Sequence, residues 1–250
     1  MLAVEFAGYL NEYLGVASFQ DYPGAHNGLQ VESDVPITRA AFAVDACQYT
    51  IDHAIARGAN ALVVHHGLFW GAAAPVTGTL YRRLSALVRA DVALYSCHLP
   101  LDAHPEVGNN ACLARLLGLT GVEPFGFVSG SAVGLQGDCI SARDGLVQRL
   151  RETLGVELTV LACGPHSLRR VAIVSGGAGR LIGEAADAGV DLLLTGEGSH
   201  DTYFVAEERG VNLVYAGHYA TESVGVRALQ AHVEERLGLE TLFIDHPTGL

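Results

Sequence analysis

Three short stretches carry side chains able to hold a metal ion: His65-His66-Gly67, His98-Leu99-Pro100-Leu101-Asp102 and His218-Tyr219-Ala220-Thr221-Glu222. The chain has 11 histidines in 250 residues, so their placement carries more information than their presence. His65, His66 and His218 offer three nitrogens, and Asp102 and Glu222 offer two carboxylates. That mixture suits Zn, Mn, Fe, Co or Ni and does not select among them. Five protein ligands are too many for one tetrahedral zinc with an open position. They suit two divalent ions that share a ligand. A carboxylate has two oxygens and can bridge two cations, which an imidazole cannot. Asp102 is therefore the expected bridge, with His65/His66 and His218/Glu222 divided between the ions.

Each fragment also has an ordinary reading. Neighbouring histidines can form a solvated loop pair. Asp102 can cap a following helix, and Glu222 in a first helical turn is favoured by the helix dipole alone. What joins the fragments is their address. Apolar runs at 61–64, 92–96 and 213–215 read as strands, so each fragment follows the C-terminal end of a strand, where α/β folds place their sites. Successive strand residues point to opposite faces. His65 and His66 can then reach one site only where the strand is ending, a turn that Gly67 permits. His218 and Glu222 are four apart and share a face where the helix has begun; the expected helix covers 222–237.

Further apolar, β-branched segments at 41–44, 131–135, 157–161, 171–174, 191–194 and 241–244 alternate with amphipathic stretches. Among these are 3–14, 49–57, 79–90, 108–117 and 143–154. The alternation predicts an α/β architecture with helix-covered sheets. Residues 118–137 are glycine-rich and mark the expected lobe boundary. The approximate lobes are 1–125 plus 213–250, and 126–212.

Half of the residues are hydrophobic, which supports a full core. No apolar run reaches the ~18 residues of a membrane span. The first 15 residues carry Glu5 and Glu12 and read as an amphipathic helix, not a leader. Five scattered cysteines without a Cys-x-x-Cys predict buried thiols in a reducing, cytoplasmic setting. A formal charge of -12 without a basic stripe argues against extended nucleic-acid binding. A small anionic substrate stays open, since bound cations reverse the local potential.

Three further candidates line the expected site: His98, Glu197 and His200, the last two able to move protons for a metal-bound water. The segment Val174-Ser175-Gly176-Gly177-Ala178-Gly179 follows a strand. Its default reading is a tight strand-to-helix turn; the alternative is a backbone anion site.

At these residues the chain resembles the dinuclear-metal proteins called GTP cyclohydrolase I type 2 homologs, also Nif-three-like or YbgI-like. The resemblance covers nearly the whole length. It is carried by Asn27-Gly28-Leu29-Gln30-Val31, by His65 to Trp70 and by His98 to Pro105. Gly108-Asn109-Asn110, Thr195-Gly196-Glu197, Ala216 to Glu222 and Phe243-Ile244-Asp245 continue it. It implies one Nif-three-like unit over residues 1–250, built as two interlinked α/β lobes in the short form without an inserted middle domain. It also implies His65, His66, Asp102, His218 and Glu222 as ligands of two divalent ions per chain, and a homohexameric ring. His26 and Tyr219 depart from the usual pattern, and neither removes a ligand.

The expected activity is metal-dependent hydrolysis of a small molecule. One version is a GTP cyclohydrolase-type reaction, in which water attacks the purine ring of a nucleotide. The alternative is a non-catalytic metal-binding scaffold or regulatory protein.

Overall fold

The computed structural model describes all 250 residues, Met1–Leu250. The chain opens with α1 (Ala3–Tyr13), β1 (Gly28–Val31), β2 (Arg39–Asp45), α2 (Gln48–Ala56), β3 (Ala61–His66), α3 (Gly78–Ala90), β4 (Ala93–Ser96) and α4 (Leu99–Ala103). It continues with α5 (Asn109–Leu117), β5 (Thr120–Val128), β6 (Ser131–Ala142), α6 (Arg143–Leu154), β7 (Thr159–Leu161) and β8 (Ser167–Val174). The last elements are α7 (Ile182–Asp187), β9 (Leu192–Thr195), α8 (Thr202–Arg209), β10 (Asn212–Tyr215), α9 (His218–Leu237) and β11 (Glu240–Phe243). They form two compact units: Met1–Val107 with Gly225–His246, and Gly108–Val224 with Pro247–Leu250. No helix is long and apolar enough to cross a membrane.

The first unit holds a five-stranded sheet in the order β1-β4-β3-β2-β11. Strands β4, β3, β2 and β11 are parallel, and β1 runs antiparallel at the edge. The inner strands are buried almost end to end, as Ala40–Val44 and Ala61–His65 show. Both faces of such strands are covered, which is why they read as unbroken apolar runs. One face packs Ala41, Ala43, Leu62, Val64 and Leu94 against Ile51 and Leu87 of α2 and α3. Burial fades at the C-terminal ends, where Asp45 and His66 emerge.

The second unit holds a six-stranded sheet in the order β5-β6-β8-β9-β10-β7. Its parallel centre, β8-β9-β10, is flanked by antiparallel partners. Its core gathers Leu146 and Leu150 of α6 against Val171, Ile173, Leu192, Leu194 and Val214.

The glycine-rich stretch 118–137 lies inside this unit as the long β5–β6 hairpin. Its turn is Ser129-Gly130, both at positive φ (50° and 86°), the two-residue geometry whose twist matches paired strands. Glycine and proline lower strand propensity, so the composition reads as a linker while the chain pairs as a sheet. Two elements had no counterpart in the sequence reading besides β5: the edge strand β1 and the single-turn helix α4.

Candidate metal centre

In the first unit, β3 ends in His65 and His66 with ring centroids 4.6 Å apart. His98, the residue before α4, brings a third imidazole 5.1 Å from His65 and 5.6 Å from His66. One ring nitrogen from each of the three lies within 4.8 Å of the others. Asp102 sits within α4, so it does not cap it, and its Oδ2 lies 3.4 Å from His65 Nε2. His65 is fully buried and Asp102 nearly so.

Each of these rings is held by its other nitrogen. His65 Nδ1 donates to the Cys97 carbonyl at 2.9 Å, His66 Nδ1 to Asp45 Oδ1 at 2.9 Å and His98 Nδ1 to Asp21 Oδ1 at 2.9 Å. All three partners can only accept, so Nδ1 carries a proton and Nε2 is the nitrogen turned toward the cluster. Asp21 also accepts from the Asn27 amide at 2.9 Å and from Leu99 N–H at 3.0 Å, while Asn27 Oδ1 accepts from His98 N–H at 2.7 Å. Burial alone would raise the Asp21 pKa, but the hydrogen bonds from His98 and Asn27 outweigh it and hold the carboxyl below its ordinary value. Cys97 is a buried thiol whose pKa burial pushes up, which suits packing and not thiolate ligation.

Gly67 has a different job from the expected one. Its φ is not positive; instead a Cβ there would fall 2.3 Å from the Gln30 amide nitrogen. Gln30 needs that space to accept from Leu68 N–H at 2.7 Å and donate to the His26 carbonyl at 2.7 Å.

In the second unit, α9 starts four residues earlier than expected, at His218. Gly217, at φ 87°, turns the chain, and Thr221 Oγ1 bonds back to the Gly217 carbonyl at 2.9 Å. His218 and Glu222 then stand one turn apart, with Nε2 and Oε1 separated by 3.1 Å. His218 Nδ1 donates to Glu197 Oε1 at 2.7 Å, so the same pattern recurs. The Glu222 hydrogen bond, with Glu197 adding and burial opposing, raises the His218 pKa to about 9. Two carboxylates thus draw positive charge to this ring.

The glycine turn after β8 serves Glu222. A Cβ on Gly176 would lie 2.3 Å from Glu222 Oε1. The turn's amides are largely committed: Ser175 to Asn110, Gly176 to Thr221, Ala178 to Thr195 and Gly179 to the Glu197 carbonyl. A backbone anion site is not built here; the strand-to-helix turn is. His200, by contrast, lies edge-on to Phe204 in a cleft of about 470 Å³ shared with Tyr203 and Tyr215.

Sequence reasoning missed Asp21, Asp45 and the role of Asn27. Asp45 had a usable signal, because it is the last residue of β2 and so shares the strand-end address.

A family model described as Duf34/NIF3 (NGG1p interacting factor 3) matches residues 1–249. The chain belongs to the Duf34/NIF3 family. Within that family it is 45% identical to a GTP cyclohydrolase 1 type 2 homolog of Pyrococcus abyssi, over 98% of each chain. The solved structure of protein ybgI matches over 100% of both chains at 38% identity, with a TM-score of 0.92. Protein TTHA1606 from Thermus thermophilus matches over 100% of both at 40% identity, with a TM-score of 0.91. The mixed α/β, two-sheet architecture is therefore the Duf34/NIF3 fold, and the chain carries His, Asp and Glu groups that could hold a metal ion.

Proposed function

We propose that this Duf34/NIF3 protein holds a pair of divalent metal ions with His65, His66, Asp102, His218 and Glu222, and hydrolyses a small molecule there. The observation that carries the reading is the way the imidazoles are tethered. All four rings, at 65, 66, 98 and 218, direct Nδ1 at a protein acceptor, and Nε2 of His65 and of His218 lies 3.4 Å and 3.1 Å from the Asp102 and Glu222 carboxylates. Ligating histidines are held this way, since the outer bond fixes the tautomer and raises basicity. The donor set fits hard-to-borderline cations.

When bound, such ions act as Lewis acids that lower the pKa of water and polarise a substrate oxygen. The chain's own residues supply the rest. Asp45, Asp21 and the Cys97 carbonyl lock three rings in place, so little reorganisation is needed at the moment of reaction. Glu197, half exposed and bonded to His218, is positioned to accept and release a proton. His98 completes the histidine cluster; His200 has no assigned role in this reading.

The curated relatives are named for a GTP cyclohydrolase, so opening of a purine ring is the first activity to test. The same family reading carries a homohexameric assembly. Elemental analysis should find about two transition-metal ions per chain, and a nucleotide screen led by GTP should show turnover that Asp102→Ala abolishes. A chain that takes up neither Mn nor Zn, or activity that survives Asp102→Ala, overturns the proposal. Metal uptake with no turnover across the screen removes the hydrolase and keeps the metal site.

A further inference from the structure

An aromatic cleft of about 520 Å³ opens in the first unit, lined in part by His26, Asn27, Gln30, Phe69, Trp70 and Leu80. That volume is typical of small-molecule sites. Its wall is tied down from several sides. The Trp70 indole N–H donates to the Gly67 carbonyl at 3.0 Å, and Gly71 N–H donates to the Gly24 carbonyl at 2.8 Å. A Cβ on Gly24 would lie 2.3 Å from Gly71 Cα, so the two segments pack backbone against backbone. Trp70 nevertheless stays 44% exposed. Its ring meets His98 edge-on at 4.9 Å and stands 6.1 Å from His66. A large, prepositioned indole with an open surface therefore borders the histidine cluster.

The lining contains no lysine or arginine. A phosphate group has no cation to grip in this cleft, so recognition falls to ring stacking and short-range polar contacts.

We propose that this cleft binds a planar, uncharged nitrogen heterocycle of nucleobase size, stacked on Trp70 with one ring edge toward His66 and His98. The proposal rests on the hydrolytic reading for the fate of the ring, while binding itself needs no metal. A phosphorylated form of the ligand binds through its ring and gains little from its phosphates in the metal-free protein.

Trp70 is the chain's single tryptophan, so its emission reports on the cleft alone. The full chain, stripped with chelator, is titrated with guanosine, adenosine, GTP and tripolyphosphate. Saturable quenching by a nucleoside is expected, with GTP binding within about threefold of guanosine and tripolyphosphate silent. By calorimetry, Trp70→Ala should weaken guanosine binding about tenfold or more. Trp70→Phe, which keeps a stacking face, should recover most of the loss. Absence of quenching by both nucleosides, equal quenching by tripolyphosphate and GTP, or unchanged affinity in Trp70→Ala overturns the proposal. The two readings fail separately. Metal uptake with a silent tryptophan removes the cleft assignment only, and ring binding by a chain that takes up no Mn or Zn removes the hydrolytic reading only.

Discussion

Replacing Gly176 by alanine tests the metal site from a residue that cannot itself bind metal. Gly176 has φ +67°, and its added Cβ would lie 2.3 Å from Glu222 Oε1. Two effects follow, and they can be separated. The left-handed backbone costs about 1–2 kcal/mol for any residue with a Cβ. The contact forces Glu222 Oε1 back to at least the 3.4 Å of ordinary contact, a retreat of 3.4 − 2.3 = 1.1 Å. The oxygen is the far end of a side chain, so its retreat adds little to the folding penalty. It matters far more to a cation, because bonds of ~2.0–2.2 Å tolerate only ~0.2 Å of error. Loss of about 10- to 100-fold in metal affinity is expected, the range seen when ligand positioning fails. Gly189→Ala is the control, with φ +69° and nothing within 4 Å of the added Cβ. Urea melts should show similar destabilisation in the two variants. Calorimetric titration of Mn or Zn into chelator-stripped protein should show a large loss only in Gly176→Ala. If the two variants bind metal within about twofold of each other, Glu222 is not a ligand and the proposed site is wrong.

Other residues make distinct demands. Asp45→Ala frees His66 Nδ1 from its 2.9 Å bond at a partly exposed position. Metal affinity should fall about tenfold or more while the urea midpoint hardly moves; an equal fall in both would mean that Asp45 is merely structural. Asp21→Ala strands four donors, on His98, Asn27, Leu99 and Tyr22, around a carboxylate only 6% exposed. It should cost about 3 kcal/mol in denaturant unfolding, and a loss under ~1 kcal/mol would refute that accounting. His232 stacks on Tyr13 at 3.7 Å and shares a hydrogen bond with the Tyr9 hydroxyl at 2.7 Å. Burial first and then Arg236 and His104 lower its pKa, against Glu106 and Glu235. The unfolded chain then binds the extra proton, so this contribution to stability is present above the ordinary histidine pKa of 6.5 and is lost as pH falls below it. His232→Gln should flatten the melting temperature between pH ~7 and ~5, and an unchanged slope would refute the assignment.

What the sequence made legible follows from burial. Strands β2, β3, β9 and β10 and the second half of β8 are covered on both faces, so their apolar runs stand out, and His65, His66 and His218 sit where such runs stop. The bonds that tether the rings were not legible, because their partners are distant in sequence: 21 residues separate Asp45 from His66, and 77 separate Asp21 from His98. No local spacing encodes such pairs. The start of α9 was hidden for another reason. His218-Tyr219-Ala220-Thr221 has no conventional cap, and the helix begins there because Gly217 turns the chain and Thr221 bonds backward while receiving the Gly176 amide. The glycines misled at one position. Gly67 read as a turn residue, whereas it makes room for Gln30; Gly176 is the turn residue it read as, at φ +67°, and also makes room for Glu222.

The choice of tether for each ring follows its burial. Asp45 and Glu197, which hold His66 and His218, have side chains 38% and 52% exposed, so water still solvates their charge. The Asp21 side chain is buried, and four donors replace the water it lost. His65 is the extreme case, fully buried and 3.4 Å from the nearly buried Asp102. A second carboxylate on that ring would be another desolvated anion next to Asp102, which is costly without further donors. The Cys97 carbonyl fixes the same tautomer without adding charge. The ring that lies deepest is therefore the one held by a neutral acceptor, and its Nε2 lies 3.4 Å from Asp102, the carboxylate proposed as a bridging ligand.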